Sequence, residues 1–425
     1  MSSPDVLVLG AGAVGAAAAY ELARRGARVA VIERGGPGPG CSYGNAGLIC
    51  PSHSESLASV AAIRDAFGWM RSRESPFYVQ PRAAVVPWLA RFAVAALPGR
   101  SASATATLRA LASASLELHD DLARAGLPTG FRRRGILSIY ESERAFADAR
   151  AAIARNGARP EALDSAAARE LAPALAPGIA GAVYHPREAH CDPAAYVTSL
   201  LEAAREHGAE LRADVEVLRL HRASARIDRL ETTAGTLRTD AVVLAAGAWS
   251  GELARQVGVF LPLESGKGYH LELKTGSAGI DIPIYMEERR VTATPLDGRL
   301  RLAGTLELSG MDLTVDPVRL GSLGHAADLA LRLPRGVQIA NVWRGLRPCT
   351  PDGLPAIGRA DGVDNLFVAT GHAMLGITLA PVTGEILASV VTGQQPRYDI
   401  EPLRPGRFRR LRDIIEAGGR RKARG

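Results

Sequence analysis

Residues 6–9, VLVL, form a short run without a polar position, the pattern of a strand buried on both faces. A second such run, VAVI at Val29–Ile32, follows after a helical stretch, AAAAYELARR, that stops at Gly26, a C′ glycine. Two more fully apolar runs come far downstream. Val242–Ala245 ends in the small-residue turn Ala246-Gly247, and the segment Asn365–Val391 reads as strand, glycine turn and helix, with Gly371 and Gly376 bracketing the turn. Between them the pattern changes. CDPAAYVTSLLEAAREHG is a capped helix with Asp192 as N-cap and Pro193 at N1. Phe260–Leu308 alternates apolar and polar positions, with the turn pair Asp297-Gly298, as half-buried strands do. From Glu141 to Glu188 helical patches alternate with the loop signal LAPALAPG.

The first turn carries the chemistry. Gly10, Gly12 and Gly15 supply G-x-G-x-x-G between the first strand and the first helix. Gly10 permits the tight turn, Gly12 lets the backbone approach a pyrophosphate, and Gly15 allows close helix–strand packing. The diphosphate would meet the positive N-terminus of the helix. Glu33, at the end of the second strand, can accept from ribose hydroxyls and would repel a 2′-phosphate. These residues leave NAD or FAD as the ligand.

Composition narrows the class without naming a ligand. The chain has 425 residues, 47% hydrophobic and 22% charged, enough for two buried cores. Much of the formal net charge of +7 lies in the tail Arg404–Gly425, and basic residues elsewhere are scattered among acids without aromatic interleaving, which argues against nucleic-acid binding. Cys41, Cys50, Cys191 and Cys349 have no metal-ligand spacing and read as small buried thiols. No signal peptide and no 18-residue apolar run is read in the chain; Val85–Leu97 is the nearest approach and carries Arg91. The expected location is the cytoplasm, with peripheral contact at the inner membrane through Val85–Leu97 and the basic tail left open.

The βα regularity of a nicotinamide domain stops after Arg34, and three ligand-facing turns are spread over the whole chain, which suits a large, extended ligand. Four blocks, the N-terminal glycine motif, SYGNAGLICPS (Ser42–Ser52), DAVVLAAGAWS, and the C-terminal pair WRGLRPCTPDGLPAIG and ATGHAMLGITLAP, occur in the order found in one family. On these the chain resembles the FAD-dependent D-amino-acid oxidase/dehydrogenase superfamily, in its bacterial dehydrogenase branch. The resemblance implies an α/β (α+β) protein: a Rossmann-like FAD-binding domain assembled from residues 1–50, 191–259 and 341–425, and a substrate domain on a mixed or antiparallel β-sheet from 51–190 and 260–340.

It also implies non-covalent FAD, since Cys349 does not fall where sarcosine-oxidase relatives attach theirs. The cofactor residues expected are Gly10, Ala11, Gly12, Ala13, Val14, Gly15, Glu33 and Arg34 at the first turn. Ser42, Asn45, Ala46 and Gly47 would pass along the flavin, joined by Ala246, Gly247 and Trp249, and by Gly371, Met374, Gly376, Ile377 and Thr378. The implied reaction is hydride transfer from the Cα of a D-amino acid or cyclic imino acid, with a quinone, a carrier or oxygen as electron acceptor. A flavin subunit of a hetero-oligomeric amine dehydrogenase and a glycine/sarcosine-type oxidase are the alternatives. For the substrate carboxylate the expected partner is the planar fork of Arg347 in GLRP, with Arg344 three residues away as competitor. Tyr269 in GKGYHLEL is expected to add a hydroxyl. His372 is the third candidate, although hydride transfer from a neutral amine needs no base. Met374 stands where some amine-oxidising relatives carry a further arginine, which implies a more apolar pocket.

Overall fold

A strand with no polar side chain needs cover on both faces, and the apolar runs obtain it in a six-stranded sheet. A computed structural model describes residues 4–36, 40–69, 75–156, 160–276 and 279–408; the basic tail lies largely outside them. The sheet order is Ala356–Arg359, Leu366–Thr370, Ala241–Leu244, Val6–Leu9, Val29–Ile32 and Glu210–Arg212. All neighbours are parallel except the antiparallel edge at Ala356–Arg359. Helices Ala13–Arg24, Pro193–Glu206 and Gly376–Val391 cover one face. The three-stranded antiparallel sheet of Val217–Ala223, Arg226–Thr232 and Gly235–Leu237 lays Leu220, Ile227 and Leu230 on the other.

Two glycines set how closely these layers approach. A Cβ on Gly15 would lie 1.9 Å from the Gly10 carbonyl oxygen, and one on Gly384 would lie 2.7 Å from that of Ala17. The second contact is where Ala13–Arg24 and Gly376–Val391 cross. The stretch Ala373–Val391, with a mean hydropathy of 1.7 over 19 residues, is long and apolar enough to cross a bilayer, contrary to the absence of such a run read from the sequence. Here 67% of its apolar window is buried, as the central helix of this core.

The second sheet has nine strands, and its main path runs from Gln338–Cys349 through Glu264–Lys274, Arg299–Leu308, Val291–Leu296, Ile284–Met286, Ile136–Tyr140 and Gly181–His185 to Glu161–Asp164. Pairings are mostly antiparallel, with Ile284–Met286 parallel to Ile136–Tyr140. Two of the expected boundaries do not coincide with this packing. Gln338–Cys349 pairs along its length with Glu264–Lys274, so 341–349 belongs to this sheet and not to the first. Helix Pro98–Arg124, placed by the sequence on the substrate side, buries Leu108, Leu111 and Leu116 in the core of the first sheet, since its apolar stripe fits the face of Gly376–Val391.

The two sheets are joined at a buried cation. Arg301 is 1% exposed; its Nη1 donates to the carbonyl oxygens of Tyr43 and Asn45 at 2.7 Å each, and its Nε and Nη2 donate to Glu272 Oε1 at 3.0 and 2.5 Å. Arg299 adds a bond to the other carboxylate oxygen at 2.8 Å. Burial opposes the charge on Glu272, but the bonds and charges of Arg301 and Arg299 outweigh it, so its pKa falls below the ordinary 4.5. A carboxylate depressed in the folded state contributes stability above its unfolded pKa and loses it as the pH falls through the folded one. Replacing Arg301 by Met should therefore cost about 3–5 kcal/mol, as for a buried pair broken on one side. Chemical denaturation at pH 7 checks the magnitude, and Arg301→Met/Glu272→Leu should recover part of the loss.

Candidate active site

The dinucleotide turn is built as its glycines require. Gly10 has φ +109°, and a Cβ there would lie 2.6 Å from the Ala245 carbonyl oxygen, so the turn closes against the third strand of the motif. Gly12 is the N-cap of Ala13–Arg24, which has no side-chain cap from that position and no acid in its first turn, leaving a positive end for a diphosphate. The turn is held from two sides. Glu33 accepts from the backbone N–H of Ala11 at 2.8 Å and of Gly35 at 3.2 Å, and Ser42 Oγ accepts from the N–H of Ala13 at 2.8 Å. Arg34 lies over the Trp249 ring at 3.7 Å, and Thr370 donates to the Gly247 carbonyl at 2.9 Å, which brings the three expected turns together.

From Ser42 the loop runs toward a cavity of about 1370 Å³. Asn45 Nδ2 donates to the Met374 carbonyl at 3.0 Å, Asn45 Oδ1 accepts from the Gly47 N–H at 2.8 Å, and Thr378 Oγ1 donates to the Leu48 carbonyl at 2.8 Å. Asn45, Ala46, Leu48, Met374, Leu375 and Thr378 thus form one wall, and the second sheet forms the opposite one. Gly47 has φ +78° and no room for a side chain against the Cys191 carbonyl, which explains the Asn-Ala-Gly sequence. The uncapped helix end, the carboxylate of Glu33 and this continuous path to a wide, largely apolar cavity fit an elongated dinucleotide whose ring lies in the cavity.

Other expected cofactor residues serve in packing. Gly15 closes on Gly10, Ala13 and Ile377 are buried in the core, and the Ile377 carbonyl accepts from His119 at 3.0 Å. Val14 packs at the edge of the same core, and Ala246 at that of the other face. Gly371, with φ +84°, is the left-handed turn of the third segment, and Gly376 opens its helix.

Of the three candidate catalytic side chains, one reaches the cavity. Arg347 lies over Gly268, where a Cβ would come within 2.0 Å of its guanidinium, and its Nη1 donates to the Thr305 carbonyl at 2.7 Å. No carboxylate pairs with it among the described residues, and burial lowers its pKa. Thr305 itself has φ +64°, a strained conformation for a β-branched residue, at the irregularity between Arg299–Leu308 and Glu264–Lys274. Arg344 points away, exposed, with its Nε on the Leu313 carbonyl at 3.1 Å.

Tyr269 and His372 do not line the cavity. Strand alternation puts Tyr269 on the far face of the sheet, fully buried, with its hydroxyl accepting from the Asp316 N–H at 3.2 Å. His372 is buried against helix Gly376–Val391, its Nε2 3.0 Å from Thr383 Oγ1, and burial pushes its pKa down to about 3. It is neutral at physiological pH and does not line this cavity. Cys349 does border the cavity, but burial pushes its thiol up to about 12, far from a thiolate nucleophile.

Sequence reasoning missed the residues that make room for Arg347 and those across from it. Gly266 and Gly268 clear one face of a strand, a signal readable as alternate glycines in SGKGYH. On the far side, His53 and Glu287 meet at 3.3 Å in the cavity wall, from segments 234 residues apart, and no local pattern announces that pair.

The family model for FAD dependent oxidoreductases, DAO, matches residues 5–390. The chain is 34% identical over 411 residues to a D-amino acid dehydrogenase of Chromohalobacter salexigens, covering 93% of this chain and 97% of that one. It is 32% identical over 421 residues to one of Methylobacterium sp. strain 4-46, covering 95% and 99%. The fold superposes on glycine oxidase from Geobacillus kaustophilus with a TM-score of 0.78 and 26% identity, over 96% of this chain and 100% of the other. With its dinucleotide turn, wide cavity and half-buried arginine, this chain belongs to the DAO family of FAD-dependent oxidoreductases.

Proposed function

We propose that this enzyme oxidises a D-amino acid, or a cyclic imino acid of the D-proline or hydroxy-D-proline type, to an imino acid that water converts to a 2-oxo acid. The observation that carries this is Arg347: a guanidinium without a carboxylate partner among the described residues, aimed into the cavity and fixed by the Thr305 carbonyl. A buried cation of this kind is complete once an anion arrives, and its planar fork suits a carboxylate. The D configuration is supported by relatives whose names state it. Bound FAD supplies the two-electron acceptor for the hydride that leaves Cα. The chain's part is to hold the carboxylate on Arg347, keep water out with Leu48, Leu306 and Met374, and present Cα to the ring. Glu33, already fastening the Ala11 amide, would take the adenosine ribose, and Gly12 with the helix end would take the diphosphate.

Electrons leave to a quinone or protein carrier in preference to oxygen. Helix Val86–Ala95 borders the cavity, and Val86 and Val94 on it, with Leu97 just beyond, are 59%, 49% and 54% exposed, an apolar rim suited to an apolar acceptor. Flavin reduced anaerobically by substrate should reoxidise slowly in air and rapidly with a short-chain quinone; fast reoxidation by air alone would refute this.

Replacing Arg347 by Leu should cost about 2–5 kcal/mol in kcat/KM, and by Lys an intermediate amount, because Lys keeps charge but not the fork. FAD content should be normal in both. The decisive comparison is an amino acid against the matching amine without a carboxylate: wild type prefers the acid strongly, and the Leu variant should not. Glu33→Ala removes the ribose partner and the Ala11 acceptor together. It should weaken FAD binding by about 1–3 kcal/mol, read by titrating apoprotein with FAD.

A further inference from the structure

The cavity that Arg347 lines also holds a polar group that the proposed carboxylate site does not use. In the turn after Ile284–Met286, Glu287 lines the cavity, with one carboxylate oxygen 3.3 Å from His53 Nε2 and the other 3.3 Å from Arg290 Nη1, both long contacts. His53 Nε2 also meets Ser138 Oγ at 3.1 Å, and its Nδ1 meets Ser52 Oγ at 2.8 Å. Behind it, Glu188 Oε1 accepts from the Ser52 N–H at 2.7 Å, and Oε2 is buried without a hydrogen-bond partner, 3.9 Å from His53 Nδ1. The rings of His185 and Tyr285 pack on His53 at 5.3 and 5.2 Å. In a largely apolar cavity this brings two carboxylates, Glu287 and Glu188, around His53, with Arg290 beside Glu287.

Register places the pair relative to Arg347. Met286 pairs with Val291, and Val291 with Gly304. Glu287 opens the turn 287–290, one residue past the strand Ile284–Met286, and Thr305 follows Gly304 on the parallel-running strand two away, so the two stand near one level of the sheet, two strand spacings apart, or about 10 Å. Thr305 carries the carbonyl that holds Arg347. An α-amino acid with a hydrogen bond at its carboxylate and another at its nitrogen spans on the order of 8 Å. Thr305, at φ +64° inside its strand, lies at the irregularity that offers its carbonyl to Arg347, and Arg290, at φ +54°, closes the turn that Glu287 opens.

We propose that Glu287, positioned by His53, binds the substrate's ammonium while Arg347 binds its carboxylate, so that the sheet reads the zwitterion from both ends. This rests on the carboxylate site assigned to Arg347. The proton that must leave before the hydride has the same carboxylate as its acceptor: an N–H bond of the ammonium breaks, an O–H bond forms on Glu287, and the nitrogen lone pair is freed. The pair thus selects amino acids over 2-hydroxy acids of the same shape.

The test is equilibrium binding to oxidised holoenzyme under anaerobic conditions, followed by flavin absorbance. The probes are D-2-hydroxy-4-methylpentanoate, which has only the carboxylate, and isopentylamine, which has only the nitrogen; KM for D-leucine is measured alongside. Glu287→Gln should weaken isopentylamine and raise the D-leucine KM at least tenfold, with the hydroxy acid within twofold of wild type. Arg347→Leu should do the converse, weakening the hydroxy acid and sparing the amine. Amine binding unchanged in Glu287→Gln, equal losses on both probes, or wild type that binds the hydroxy acid but not the amine would overturn the proposal. A hydroxy acid indifferent to Arg347→Leu would instead overturn the carboxylate site, on a separate probe. If Glu287→Gln does not fold, Glu287→Asp is judged by the same pattern with a threefold loss of amine binding.

Discussion

Everything in the active site hangs on the buried guanidinium of Arg301. It reaches from the second sheet to two carbonyls of the Ser42–Gly47 loop and is neutralised by Glu272 on the neighbouring strand. Without it, two backbone oxygens would be buried and unpaired and Glu272 would keep only Arg299, at a cost of several kcal/mol. With it, the loop that starts at the dinucleotide turn is pinned to the sheet that forms the substrate wall. The distance between cofactor path and substrate wall is thereby set by one side chain whose every bond is short.

Arg347 shows the opposite economy. Its strand neighbour Gly268 gives up a side chain to admit it, Thr305 adopts a strained backbone to offer it a carbonyl, and no acid among the described residues balances its charge. Each feature lowers stability and none improves packing. Such costs persist where an arrangement is used, which is the ground for the anion site proposed at Arg347. The same cavity is lined by Glu287, from the turn after Ile284–Met286, and by His53, from the short helix Pro51–His53, so charge of both signs is displayed in one site.

The strand Glu264–Lys274 shows why charge patterning alone misleads. ESGKGYHLELK alternates as a half-exposed strand would, yet all but its last residue are buried. Its charges are matched from elsewhere: Glu264 by Arg82 at 2.6 Å, Lys267 by Asp312 at 2.9 Å, and Glu272 by Arg301. Tyr269 was misplaced for a related reason. Its period put it on one face of the strand, but nothing local says which face looks toward the cofactor.

By itself the sequence determined the elements whose signals are local. The glycine turn, its flanking apolar strands, Glu33 at the strand end, the Asp192 cap and the Asn-Ala-Gly loop are each specified by residues within a few positions of one another, through backbone sterics, capping and burial on both faces. The motif order was enough to name the family. Tertiary structure alone decided what faces what. Helix Pro98–Arg124 joined the cofactor core because the face of Gly376–Val391 was free to receive it. His372 turned into the protein interior, and Arg301, Gly268, His53 and Glu287 acquired their functions from partners tens to hundreds of residues away. Pairing across such separations depends on sheet register and layer contact, and those are properties of the assembled chain that no window of sequence contains.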